Sequence, residues 1–212
     1  VSATGIVVNA DNADNNNGES EEANVRLFVD NAVVSNQIGN GILVAGGANT
    51  VRISDSTISH NGMSGIIIYR RYGLQSFAVV GGSVENNLES GIDVIAEKSV
   101  FISDVLLKYN YQDGLRVRSV EDIVIDNVII DENGMSGITV WNATSISLQG
   151  VVSKNNYQNG ICVEAEGSVL EIANSVFFEN GFDLHTDQKV IIKYQNLYNI
   201  DSNIERKKLR EK

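Results

Sequence analysis

Proline is missing from this sequence altogether, and cysteine and tryptophan occur once each. Proline cannot donate a ladder hydrogen bond, so a chain built almost wholly of strands has little room for it. The lone Cys162 excludes an internal disulfide and leaves the redox compartment open. No apolar run approaches the roughly 20 residues of a membrane helix, so no membrane span is expected. Cations are in deficit: 16 Lys and Arg against 27 Asp and Glu leave a net charge of −11. That balance argues against nucleic acid, whose phosphates need a basic face. The chain opens at Val1 without Met or a signal peptide, and reads as a mature form or a piece of a longer protein with flanking domains missing. What is present is a 42% hydrophobic share over 212 residues, enough for one solenoid or one large globular domain.

Glycine carries the pattern. The motif Gly, apolar, any residue, apolar begins at positions 41, 65, 91, 114, 137, 160 and 181, so successive spacings are 24, 26, 23, 23, 23 and 21. Gly5 opens a degenerate first copy, separated from Gly41 by the polar run Asn9 to Glu22. Each period holds two more apolar stretches, as in Ile123, Ile125, Val128 and Ile130 after Leu115 and Val117. Alternation over three to five residues means short, half-buried strands, and no window keeps the helical period. Three short strands per period, stacked in parallel, predict an all-β, single-stranded, right-handed parallel β-helix of about 7–8 coils of 21–26 residues. Asn61, Asn87, Asn110, Asn133 and Asn156 each stand four residues before a motif glycine, with Gln37 in that place in the first full coil. Stacked Asn side chains satisfy turn backbone and each other, so this row is expected to be structural. The glycines are expected to permit the turn conformation.

The chain divides into a degenerate first coil and polar loop (1–24), the β-helix (25–198) and a charged basic tail or cap (199–212). The run from Asn9 has calcium-loop composition without calcium-loop spacing, and no metal ligands are assigned.

In the first strand of each coil, two rows are expected to face outward. One is Leu43, Ile67, Asp93, Arg116, Thr139, Cys162 and Asp183; the next is Ala45, Tyr69, Ile95, Arg118, Trp141, Glu164 and His185. Tyr69, Tyr72 and Trp141 offer flat faces for sugar rings, and Arg70, Arg71, Arg116 and Arg118 offer forks for carboxylates or sulfates. A substrate-binding set of Tyr69, Arg71, Tyr72, Arg116, Arg118, Trp141 and Glu164 follows. The bland alternative is an exposed strand face with cross-strand pairs such as Asp93 with Arg116. Leu43, Ile67 and Ile95 would be apolar and outward, calling for cover by a loop, a second copy of the chain or a flanking domain.

The segments SGIIIYRRYGLQSFAVVGGSVENNLESGIDV, from Ser64, and NGMSGITVWNATSISLQGVVSKNNYQNGICV, from Asn133, resemble the β-helical modules of mannuronan C5-epimerases. That family's catalytic signature runs Tyr, Gly, Phe, Asp, Pro, His. Asn180 to His185 stands in the same kind of position, matching at Asp183 and His185 and departing at Asn180 and Leu184. Aligned by coil order instead, Asn9 holds the place of a further catalytic Asp. The resemblance implies alginate as substrate and calcium as a helper ion; no cofactor is required by the residues themselves.

Uronate chemistry needs a cation to neutralise the carboxylate and groups that move a proton on and off C5. His185, Asp183, Tyr69 and Arg116 are the candidate catalytic residues, for a C5-epimerase or a polysaccharide lyase. Two functions stand: a carbohydrate-directed β-helix binding or modifying an acidic polysaccharide, or a non-catalytic structural or adhesive segment of a phage tailspike or cell-surface fibre. Either would be secreted, cell-surface or virion-associated.

Overall fold

The fold comes from a computed structural model that describes residues 4–8, 25–45, 48–69, 74–119, 121–187 and 189–197. It is a parallel β-solenoid, and the described residues contain no helix. The first sheet stacks eight strands in chain order: Ile6–Val8, Ile42–Val44, Ile66–Ile68, Ile92–Ala96, Leu115–Ser119, Ile138–Trp141, Asn159–Glu164 and Phe182–Thr186. The other two strands of each coil form a thirteen-stranded sheet. There Ala48–Ser59 and Ser76–Glu85 run through the corner that later coils break into two short strands. Every pairing is parallel, so each coil is a crossover back to the same sheet, which is right-handed for L-residues.

Register converts the motif into a core. Leu115 pairs with Ile138 and Ile138 with Ile161, while Val117 pairs with Val140 and Val140 with Val163. All six are fully buried in one continuous apolar column with Ile123, Ile125 and Ile130. The column leaves no side chain to choose a different face without moving its whole row.

The Asn row forms an unbroken internal ladder. Asn61 Nδ2 donates to Asn87 Oδ1 at 2.9 Å, Asn87 to Asn110 at 2.9 Å, Asn110 to Asn133 at 3.1 Å and Asn133 to Asn156 at 3.0 Å. Each Oδ1 also accepts a backbone amide from the coil before, as Asn133 Oδ1 does from Asn110 N at 3.1 Å. Asn180 extends the ladder by one more rung at 2.9 Å. The residue just before each ladder Asn lies in the left-handed region: His60, Asn86, Tyr109, Glu132, Asn155 and Glu179, as does Asn36 before Gln37. The ladder amides hold that corner although none of these residues is glycine.

The motif glycines correct the expectation placed on them. None of the six from Gly41 to Gly160 has a positive φ. Their role is close approach: a Cβ on Gly91 would meet the Gly114 carbonyl oxygen at 2.7 Å and the Asn110 Nδ2 at 2.8 Å, and the others repeat this. Each glycine makes room for the backbone of the next coil. This also explains a slip at the end of the repeat. Gly181 is not the last motif glycine: Asn159 pairs with Phe182 and Ile161 with Leu184, so Asp183 stands where Gly160 stands, 23 residues on. Among the described residues the first sheet ends with that strand, so a Cβ is tolerated there. The extra length of the third coil falls between Ile68 and Ser76, since Ile66 and Ser76 keep register with Ile92 and Ser99.

Ile6 pairs with Ile42, which places the Gly5 copy on the first sheet. The run 9–24 and the tail 198–212 lie outside the described residues.

Candidate groove on the first sheet

The outward face of the first sheet is a trough rather than a flat strip. Its central row is largely covered: Ile67, Asp93, Thr139 and Cys162 are buried and Leu43 and Arg116 half-buried. Ile67 is therefore not an exposed apolar residue, and Leu43 and Ile95 are only partly so. The flanking row, with Tyr69, Arg118 and Glu164 exposed and Trp141 half-buried, forms one rim. The turns that carry Tyr111 and Tyr157 lie on the other side.

Toward the C-terminal coils the trough opens into a groove of about 500 Å³, with Trp141, Tyr157 and Phe182 at its sides and Arg116, Thr139, Cys162 and His185 among its lining. Charges inside it are already matched. Arg116 donates from Nε and Nη2 to Asp113 Oδ2 at 2.9 and 2.7 Å, and its Nη1 lies 3.6 Å from Asp93. Asp113 Oδ1 accepts the Ser136 amide at 3.0 Å and the Thr139 hydroxyl at 3.3 Å. Arg118 meets Asp93 at 3.3 Å and keeps 43% of its side chain exposed. Both guanidinium carbons lie 5.8 Å from the Trp141 ring centroid, and Trp141 Nε1 donates to Glu164 Oε2 at 2.8 Å. The indole is thus fixed by a carboxylate on one coil and two cations on another, a preorganised stacking surface. Arg116 is not a free fork; it neutralises two nearly buried carboxylates.

Cys162 is a poor nucleophile. Burial, and then the Glu164 carboxylate whose Oε1 accepts its thiol at 3.8 Å, push its pKa up to about 12.

Of the four candidate catalytic residues, the groove brings together Arg116 and His185. His185 pairs with Cys162, so it belongs to the central row and not to the Trp141 row. Asp183 is not outward: it is 3% exposed, and Asn180 Nδ2 donates to its carboxylate at 3.0 Å. Tyr69 follows a strand five steps along the sheet from that of His185, about 24 Å at the usual strand spacing, so the two cannot serve one substrate atom. Arg70, Arg71 and Tyr72 lie outside the described residues. The sequence reading missed Asp113, Tyr157 and Phe182. Asp113 was legible as the acid in a row otherwise made of Asn40, Ser64, Ser90, Ser136 and Asn159, the residue before each motif glycine.

Among the described residues no three His, Cys, Asp or Glu side chains converge on a metal-holding group, and no helix is long and apolar enough to cross a membrane.

A family model described as a right handed beta helix region matches residues 4–177. The chain belongs to the right-handed β-helix family. For this β-helix neither a curated protein nor a solved structure gives a match. The family match carries the solenoid and not the finer likeness to mannuronan C5-epimerases.

Proposed function

We propose that this β-helix binds a carbohydrate chain in the groove beside Trp141, and that it binds without turning it over. The observation that carries the reading is the aromatic frame: Trp141, Tyr157 and Phe182 surround an open groove floored by hydrogen-bonding side chains. Sugar rings offer apolar faces for stacking and hydroxyls for carboxylates and amides, the combination found here. The burial of Asp183 and the distance of Tyr69 from His185 favour binding over proton transfer. Charge has a minor part. Asp93 and Asp113 face Arg116 and Arg118, so an acidic glycan, the class expected from the sequence, would be drawn mainly by the exposed guanidinium of Arg118.

A structural or adhesive segment is the second reading. It is favoured by an aliphatic row on the opposite wall, where Leu106 pairs with Ile129 and Ile129 with Val152, and Ile129 is 47% exposed. The two roles are compatible in one surface protein.

Calorimetric titration of the intact protein with alginate, pectate, a sulfated glycan and neutral cello- and chito-oligosaccharides tests the proposal. At least one should bind, Trp141→Ala should weaken it by about tenfold or more, and Arg118→Ala should matter only at low salt. Failure of every glycan to bind at low salt overturns the proposal in favour of the structural segment.

A further inference from the structure

The turn between the third strand and the first carries one sequence unit twice: N-Y-Q-D-G from Asn110 and N-Y-Q-N-G from Asn156. The coil between them has N-G-M-S-G from Asn133, so the two copies stand two coils apart. The backbone here is bonded coil to coil. Tyr111 N donates to Asn87 O at 2.9 Å, Gly134 N to Asn110 O at 2.8 Å and Tyr157 N to Asn133 O at 3.0 Å. Equivalent residues therefore stack at a fixed pitch, and Tyr111 and Tyr157 stand two coils, roughly 9–10 Å, apart.

Both tyrosines are bare, at 73% and 80% exposure. The place between them is kept empty by geometry, because a Cβ on Gly134 would run into the Tyr111 carbonyl oxygen. Each tyrosine is followed by a glutamine, and Gln158 and Tyr157 line the Trp141 groove. The tyrosine ridge is continuous with that groove and rises beside it along the solenoid axis.

We infer that Tyr111 with Gln112 and Tyr157 with Gln158 are two copies of one subsite, and that the glycan lies along the solenoid axis with a repeat unit matched to two coils. The inference rests on the carbohydrate reading of the groove and adds to it the direction, the length and the polymeric nature of the ligand. A small sugar has no use for a duplicated platform. An extended polysaccharide presents the same face again after about the length of a disaccharide, and each ring that stacks adds its contribution to a ligand already held. The alternate-coil spacing then acts as a ruler that selects chains by repeat length.

The experiment is a length series. Cello-, chito-, mannuronate and galacturonate oligomers from disaccharide to octasaccharide are titrated against the full chain, with Tyr111→Ala and Tyr111→Phe in parallel. Affinity should rise about three- to tenfold as the oligomer becomes long enough to reach from Trp141 to Tyr111. Tyr111→Ala should remove that rise, while Tyr111→Phe keeps it. Binding of equal strength at every length, weakened by Trp141→Ala, overturns the two-subsite inference and leaves the groove reading standing. No binding of any oligomer overturns both. The length series on the intact protein decides the point even if a variant fails to fold.

Discussion

Truncating Asn133 to Ala removes four hydrogen bonds from the interior of the solenoid. Its Nδ2 donates to Leu107 O at 3.2 Å and to Asn156 Oδ1 at 3.0 Å, and its Oδ1 accepts Asn110 N and Asn110 Nδ2, both at 3.1 Å. Asn133 is 2% exposed, so water cannot replace what is lost. The Asn110 amide is left without this acceptor and the Leu107 carbonyl without this donor. At about 1–3 kcal/mol for each buried group left unpaired, the cost comes to about 2–6 kcal/mol. That is a large share of the 5–15 kcal/mol typical of a whole domain. Denaturant unfolding followed by circular dichroism measures the global loss, with Gln149→Ala as an exposed control expected within about 0.5 kcal/mol of the parent. Amide exchange supplies the local readout, because coils contact only their neighbours and a solenoid can open in parts. Asn110 N–H should lose protection most. A loss under about 1 kcal/mol with the Asn110 amide still protected would refute the ladder as a source of stability.

Other outcomes follow from the same geometry. Ile138→Ala, at a fully buried position, should cost about 2–5 kcal/mol in the same unfolding assay. Gly137→Ala should cost about 1–3 kcal/mol by overpacking, since its Cβ would meet the Gly160 carbonyl oxygen at 2.7 Å; a neutral result would mean the coils are spaced more widely than described. Arg116→Ala should destabilise the fold by about 1–3 kcal/mol even without ligand, because it leaves the nearly buried Asp113 without its cation and Asp93 with Arg118 alone. The Cys162 thiol should resist iodoacetamide at pH 8 in the folded protein and react on unfolding. Its neutral form is favoured by the fold, so its contribution to stability is complete below the ordinary value of 9.0 and is lost as pH rises toward about 12; a rapid reaction at pH 8 in the folded state would contradict this.

The solenoid could be read from the chain because its signal is repeated. Gly, apolar, any, apolar recurs in every coil, and the register of Leu115, Ile138 and Ile161 is the one the spacing implies. Where repetition failed, so did the reading. At Gly181 a true glycine lies two residues before the structural position, which Asp183 fills where, among the described residues, no first-sheet strand packs beyond it. The missing residue in that turn also hid Asn180 as a rung of the ladder. The groove was half legible. Arg116, Arg118, Trp141 and Glu164 share a face as alternation requires. That Arg116 would spend its charge on Asp113 depends on a turn residue three positions earlier folding back beside it, which strand alternation does not encode. The tyrosine pair was visible only as a row, by comparing the residue after each ladder Asn from coil to coil.

Trp141 is the single tryptophan of the chain, so the indole emission of the intact protein reports on the groove alone. Titrating that emission with the glycan panel is the most direct measurement of the central claim. A saturable change in intensity or wavelength with at least one glycan, abolished by unfolding, is the expected result. Emission that stays constant through every glycan at low salt, while the protein remains folded, would contradict the account.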